Sequence, residues 1–218
     1  MSSPLILFPD KTVILPPVYF GSIDYYATMA TYGNVVIDRD WRFDKRKKFT
    51  HRCTIADTHG LLQLTVPIEK PFKSRETTWN NIKVSTHGEW WNVHRVALES
   101  AYGRTPFFEF YIDRFLPFLK HRDKDNNNEF LMDLDCNIDA VIRNILGLES
   151  IVSYTTENIP NIAEEIKDYR SNDFTHITPV EYYQVRKATH GFIPNLSILD
   201  LIFNMGPEAP IILKKMLE

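Results

Sequence analysis

Residues 13–37, VILPPVYFGSIDYYATMATYGNVVI, contain the pattern that decides the fold. Val13-Ile14-Leu15 is typical of a short buried strand, and the two prolines that follow end it. Ser22 can cap a helix that runs to residue 32, with Gly33 just beyond its last turn. Asn34 to Ile37 then predicts a second strand. A strand, a helix and a strand in this order favour a parallel pair joined by a right-handed crossover.

The next segment changes to a period of two, which predicts a β-hairpin. Apolar and polar residues alternate from Phe49 to Ile55 and again from Leu62 to Ile68, on either side of a turn that contains Gly60. The same alternation places the neighbouring residues His51 and Arg52 on opposite faces of the first strand of the hairpin.

Helical periodicity dominates the rest of the chain. From Trp90 the pattern predicts a helix with His94 on its polar side and an apolar face formed by Val93, Val96, Ala97 and Ala101. Further helices are predicted over residues 107–119, over 138–146, over 160–169 and after Ser197, which forms a capping box with Asp200.

These elements predict a single α/β domain over residues 1–218. We expect a mixed sheet with a parallel N-terminal portion, an added β-hairpin and flanking helices, and an α+β arrangement is the alternative. In such a sheet, the ligand-binding crevice lies outside the carboxyl ends of the parallel strands.

Composition excludes several classes of protein. The 28 acidic and 25 basic residues give a net charge of −3, so no global field attracts nucleic acid. No apolar run approaches the roughly 18 residues that span a bilayer, and the N-terminus lacks the pattern of a signal peptide. Cys53 and Cys136 are far apart, as expected of free thiols in a reducing compartment. We therefore expect a cytoplasmic protein without a nucleic-acid partner or membrane insertion.

No metal or cofactor motif is present. The seven histidines include no pair at the i, i+4 spacing of a metal-binding helix, so no metal site is predicted. Glycine-rich phosphate loops and dinucleotide fingerprints are absent too, so the sequence leaves the cofactor open.

The strongest local charge feature is a basic cluster around the start of the hairpin. The run from Lys45 to Lys48, together with Arg52, could hold a diphosphate, because arginine suits bidentate contacts with phosphate oxygens. A solvated surface run is the alternative, although a strand position fixes the direction of Arg52.

His51, His94 and Asp200 are the candidates for acid–base chemistry. Histidine titrates near neutral pH and can act as a general base, but each histidine could equally be a packed, hydrogen-bonded residue. Asp200 could orient a base, or it could serve the capping box alone. Asn195 and Asn204 lie at the two ends of the same helix, where unpaired backbone groups can bind ligands.

Three segments together resemble the WbqC-like family. They are Leu15-Pro16-Pro17-Val18-Tyr19-Phe20 with Tyr25-Tyr26, then residues 49–55 leading to Leu64-Thr65-Val66-Pro67-Ile68, and the closing stretch 190–206, HGFIPNLSILDLIFNMG. Trp90-Trp91 to Tyr102 and residues 105–109 also fit, so the resemblance covers nearly the whole chain. The motif positions that match are Arg52, Tyr19, Asn195, Asp200 and Asn204. Pro16, Thr50 and His51 depart from the family pattern.

The resemblance implies a role in the biosynthesis of surface polysaccharide and O-antigen. The leading hypothesis is a transferase that moves an acyl or aminoacyl group, such as glycine, to a nucleotide-linked amino sugar. In this hypothesis Lys45 and Arg52 hold the diphosphate, Tyr19 and Tyr102 stack on a ring, and Asn195 and Asn204 contact the substrate. A non-catalytic protein that binds a sugar nucleotide or a partner enzyme is the alternative. A sugar hydrolase or lyase would need two carboxylates that face one cleft.

Overall fold

The structure, a computed structural model, describes residues 6–69, 71, 76–123, 128–155, 166–171 and 173–217. Its strands are β1 (Phe8–Leu15), β2 (Tyr32–Asp38), β3 (Arg52–Asp57), β4 (Gly60–Thr65), β5 (Ile151–Thr155) and β6 (Ile166–Asp168). Its α-helices are α1 (Ile23–Thr31), α2 (Trp90–Tyr102), α3 (Phe108–Phe115), α4 (Leu131–Leu146), α5 (Lys187–His190), α6 (Ile198–Met205) and α7 (Ala209–Lys215).

Four strands form a parallel sheet in the order β5-β2-β1-β6. Val13 pairs with Val35 and Leu15 with Ile37, and all four side chains are buried. Since every pairing in this sheet is parallel, the carboxyl ends of its strands lie at one edge. The predicted strand–helix–strand unit and the α/β class are confirmed.

Both predicted ends of α1 differ in detail from the expectation. Ser22 makes no capping bond with the helix backbone, and its hydroxyl donates instead to the carboxylate of Asp24. Gly33 lies inside β2, which begins at Tyr32 directly after the helix. A Cβ atom on Gly33 would come within 2.0 Å of the Pro9 carbonyl oxygen, so close packing of two strands requires this glycine.

The predicted hairpin is confirmed and forms its own two-stranded antiparallel sheet. Its turn is closed by the side chain of Asp57, whose Oδ1 accepts a 2.7 Å hydrogen bond from the His59 backbone. Cys53 and Ile55 are buried on the face that packs towards α2 and α6. The other face carries Arg52 and Thr54, as the alternation predicted.

The prediction for α2 gave the right helix but the wrong buried face. Val93 is 57% exposed and Val96 49% exposed, whereas His94 is only 3% exposed. The face that enters the core carries Trp90, Trp91, His94, Leu98, Ala101 and Tyr102. The large rings bury more apolar area than two valines would, and this outweighs the cost of burying one histidine that has hydrogen-bond partners.

The prediction of a helix over residues 160–169 was wrong at its C-terminal end. Ile166–Asp168 form β6 and pair with β1, while residues 160–165 lie outside the described part of the chain. The stretch 107–119 is helical but changes at Leu116 to a tighter 3-10 turn that contains Pro117. No helix among the described residues is long and apolar enough to cross a membrane.

Candidate functional site

An open cavity of about 330 Å³ lies between the loop after β1, the hairpin and the segment before α6. We call it the hairpin cavity. Its polar wall is formed by Ser22, Lys48, Arg52, Thr54, Gln63, Asn195 and Ser197. The loop that follows β1 leads directly into α1, so this position is the carboxyl-end crevice that the α/β fold predicts.

The hairpin fixes the direction of the Arg52 guanidinium group. Nε donates to Thr65 Oγ1 at 2.8 Å, and Nη1 donates to Gln63 Oε1 at 2.7 Å. Lys48, from the short 3-10 helix before β3, contributes a second cation to the same cavity. Within the described ranges, neither cation forms an ion pair. The cavity therefore offers two positive charges, one of them held in a fixed orientation, to an anionic ligand.

A polar cluster closes the other end of the hairpin cavity. Asn195 Nδ2 donates to Asp24 Oδ2 at 2.6 Å, and Asn195 Oδ1 accepts from the Asp24 backbone at 3.3 Å. Asn195 itself has a φ of 55°, a left-handed conformation that asparagine tolerates better than most residues. Backbone hydrogen bonds from Ile23 to Leu196 and from Ile198 to Gly21 hold this segment against the start of α1.

Asp24 lines a second cavity, which shares Asn195 with the first. This cavity, of about 340 Å³, is lined by Asp24, Asp173, Phe174 and Asn195 among others, and we call it the Asp24 cavity. Burial raises the pKa of Asp24, while hydrogen bonds from Ser22, the Tyr25 backbone and Asn195 lower it. The net shift is upward, which makes this carboxylate a better proton acceptor than an exposed one.

Cys53 lines the hairpin cavity but is not activated as a nucleophile. Burial raises the pKa of its thiol above the ordinary value, so it is protonated at neutral pH. Among the described residues, no group of three or more His, Cys, Asp or Glu side chains is placed to hold a metal ion.

Tyr19 and His94 form a buried pair behind this site. The Tyr19 hydroxyl lies 2.9 Å from His94 Nδ1, and the imidazole also bonds to the Thr65 backbone. Burial lowers the pKa of His94 to about 4. Tyr19 is 0% exposed, so its ring has no surface on which a ligand could stack in this conformation.

Asp200, Tyr102 and Asn204 belong to a second buried network. Asp200 Oδ2 accepts hydrogen bonds from the Tyr182 hydroxyl at 2.5 Å and from Gln184 Nε2 at 3.0 Å, and Tyr102 also bonds to this carboxyl group. Asn204 Oδ1 accepts from the Val185 backbone at 2.9 Å. These bonds tie residues 182–185 to α6.

The capping-box explanation of Asp200 was half right. Ser197 Oγ accepts a 3.3 Å hydrogen bond from the Leu199 backbone and so caps α6. The carboxylate of Asp200 turns away from the cap towards Tyr182 and Gln184, where it is 2% exposed.

His51 and Lys45 do not line the hairpin cavity. The His51 ring packs 6.3 Å from Trp79, and its Nδ1 donates to the Val66 carbonyl at 3.0 Å. Burial lowers the pKa of His51. Lys45 is exposed in the loop before the 3-10 helix.

The structure thus brings two of the predicted site residues, Arg52 and Asn195, together in one cavity. The roles proposed for all nine predicted residues stay predictions. Sequence reasoning missed Ser22, Asp24 and Gln63. The first two follow the first strand of a crossover unit, where α/β proteins place ligands, and Gln63 shares the solvent face of the hairpin with Arg52. Those two rules could have identified them.

Comparisons with known proteins agree with the motif resemblance. A protein of Mycobacterium tuberculosis (strain ATCC 25618 / H37Rv), named Uncharacterized protein Rv1507c, is 24% identical over 225 residues, which span 92% of this chain and 96% of that protein. Its name states no activity. The comparison with solved structures gave no significant match. The model of the WbqC-like protein family matches residues 17–172 and 167–212. Because these matches cover most of its length, the chain belongs to the WbqC-like protein family.

Proposed function

We propose that the protein transfers an acyl or aminoacyl group, such as glycine, to the amine of a nucleotide-linked amino sugar. The observation that carries this proposal is the pair of cations, Lys48 and Arg52, that lines one open cavity together with Asn195, whose side chain is hydrogen-bonded to Asp24 in a second cavity. Family membership supports a role in building surface polysaccharide, and the free thiols of Cys53 and Cys136 support a cytoplasmic location.

The cationic end of the hairpin cavity suits the diphosphate of such a substrate. A guanidinium group that is already oriented by Thr65 and Gln63 loses little freedom when it binds a phosphate oxygen. Lys48 adds a second charge from the adjacent loop. With the phosphates held there, the sugar would extend towards Asn195.

The Asp24 cluster suits the amine and its reaction. The amine nitrogen attacks the carbonyl carbon of an activated ester or thioester donor held in the Asp24 cavity. A C–N bond forms, the C–O or C–S bond of the donor breaks, and the amine proton passes through Asp24 to the leaving atom. Asp24 acts as the general base. His51, His94 and Asp200 do not line the hairpin cavity.

The alternative function is binding without catalysis. It is favoured by the position of the three residues that the sequence proposed for acid–base chemistry, because His51, His94 and Asp200 all lie outside the walls of the hairpin cavity. In that case Asp24 would serve only to position Asn195.

A ligand screen by thermal shift tests the binding step. A nucleotide-linked amino sugar at about 100 times its dissociation constant adds roughly 2.7 kcal/mol of stability, which corresponds to about 5–10 °C for a chain of this length. Arg52→Ala should weaken binding about 10- to 150-fold, because a hydrogen bond to a charged group contributes about 1.5–3 kcal/mol. Arg104→Ala, in the exposed turn after α2, is the matched control and should bind normally.

A transfer assay separates the two functions. The protein is incubated with the bound sugar nucleotide and with acetyl or glycyl thioesters of coenzyme A, and mass spectrometry detects the amide. If Asp24→Asn still binds the sugar nucleotide but no longer forms the amide, the result supports the transferase function. If Arg52→Ala binds the sugar nucleotide as tightly as the natural protein, the phosphate site is misplaced and the proposal fails.

A further inference from the structure

We propose that a third cavity, next to Trp41, binds the nucleobase of the ligand whose phosphates lie in the hairpin cavity. This inference rests on the proposed function and extends it to the nucleoside part of the substrate. The third cavity has a volume of about 340 Å³ and is lined by Trp41, Lys47, Asp168, Arg170 and Ser171. We call it the Trp41 cavity.

The topology of the sheet places the Trp41 cavity at a ligand-binding position. From β1 the chain adds β2 and then β5 on one side, whereas β6 returns to the other side of β1. The direction of winding therefore reverses between β1 and β6, and such a switch point opens a crevice at the carboxyl ends of the strands. Asp168 is the last residue of β6, and Arg170 lies two residues further along the chain.

A stacked aromatic pair separates the Trp41 cavity from the hairpin cavity. The rings of Trp41 and Phe49 lie 6.2 Å apart with an interplanar angle of 16°. Trp41 lines one cavity and Phe49 the other. The backbone holds Trp41 in place, because its carbonyl oxygen accepts a 3.0 Å hydrogen bond from Trp79. Aromatic side chains of this kind provide a platform for a base of any identity.

Lysine side chains on both sides of the Trp41–Phe49 pair provide positive charge for a nucleotide that extends from one cavity to the other. Lys47 lines the Trp41 cavity with its ammonium group 5.6 Å from the Trp41 ring centre, and its neighbour Lys48 lines the hairpin cavity. Phosphates in the hairpin cavity would therefore meet Lys48 and Arg52, while Lys47 lies on the side of the base.

The far wall of the Trp41 cavity is rigid and polar. Arg170 donates from Nη1 to Asp38 at 2.9 Å and from Nη2 to Asp168 at 2.6 Å, so its guanidinium group is held by carboxylates from the ends of two strands. The Ser171 hydroxyl, which is exposed at this wall, can bond to the edge of a base.

The test compares ligands with and without a base by isothermal titration calorimetry. The probes are glucosamine 1-phosphate, which has no base, and the tightest binder among UDP, dTDP, GDP, ADP and CDP. Trp41→Ala should weaken binding of the nucleotide by about 5- to 150-fold, the usual effect of losing one base–aromatic stack. Binding of glucosamine 1-phosphate should change less than about twofold, whereas Arg52→Ala should weaken both probes.

Ser171→Trp provides a second variant that leaves the Trp41–Phe49 pair intact. Ser171 is exposed, so a bulky residue there would fill the Trp41 cavity without entering the core. It should reproduce the selective loss of nucleotide binding, including the case in which Trp41→Ala fails to fold.

The two proposals fail in different ways. If Ser171→Trp binds the nucleotide normally while Arg52→Ala does not, the base lies elsewhere, and the inference is overturned while the phosphate site stands. If the variants at Trp41 and Ser171 weaken both probes equally, the Trp41 cavity is not specific for the base and the inference is also overturned. If the natural protein binds neither probe, the proposed function itself is wrong.

Discussion

Acidification should destabilise this protein through His94. The imidazole is 3% exposed, lies 2.9 Å from the Tyr19 hydroxyl and bonds to the Thr65 backbone. Burial lowers the pKa of His94 from 6.5 to about 4; the Thr65 bond opposes this shift and the charge of Arg122 adds to it. The folded protein therefore keeps His94 neutral at a pH at which the unfolded chain protonates it.

The sign and size of the effect follow from proton binding in the two states. Between the unfolded pKa of 6.5 and the folded pKa of about 4, the unfolded chain holds more protons. Stability is thus complete above pH 6.5 and falls as the pH drops through this window. At 1.36 kcal/mol for each pKa unit, the loss between pH 7.5 and pH 4.5 is about 2–3 kcal/mol, or about 5–10 °C in Tm.

Urea unfolding of the natural protein and of His94→Gln at several pH values measures this contribution. Glutamine does not titrate, and its amide can donate to the Thr65 carbonyl, so the variant should lack this component of the pH dependence. Burial raises the pKa values of Asp139 and Asp200 in both proteins. Their contributions to the pH dependence of stability therefore cancel when the two proteins are compared. Parallel stability curves for the two proteins between pH 4.5 and pH 7.5 would refute the reasoning.

Two further substitutions test the core. Tyr19→Phe removes the donor to a buried imidazole and should cost about 1–3 kcal/mol of unfolding free energy in urea titrations. Ligand affinity should be retained, and a fall in affinity without a fall in stability would show that Tyr19 contacts the ligand. Gly33→Ala places a Cβ atom 2.0 Å from the Pro9 carbonyl oxygen and should cost about 1–3 kcal/mol or more through strain. An unchanged Tm for that variant would mean that β1 and β2 can separate freely.

Burial in α2 shows where periodicity alone is insufficient. The sequence offers two overlapping stripes on this helix, one with Val93 and Val96 and the other with Trp90, Leu98 and His94. Periodicity cannot rank them, because it counts a histidine as polar wherever it lies. The core accepts His94 because the Tyr19 hydroxyl, 75 residues away, provides a hydrogen bond there.

The hairpin shows the opposite case. Arg52 faces solvent and His51 faces the core because strand alternation is a property of neighbouring residues, and the structure reproduces it without exception at these two positions. The hydrogen-bond partners of Arg52 are local as well, since Thr65 and Gln63 lie on the adjacent strand of the same hairpin.

The sequence by itself determined the crossover unit at residues 13–37, the hairpin, the cap at Ser197 and the family. Each of these depends on interactions within a few residues or on a continuous motif. Only the tertiary structure decided which polar groups share a cavity. Asn195 meets Asp24 across 171 residues, and Arg170 joins Asp38 across 132. Contacts of this kind depend on how the whole core packs, because burial and long-range hydrogen bonds are determined by the positions of all the helices and strands together.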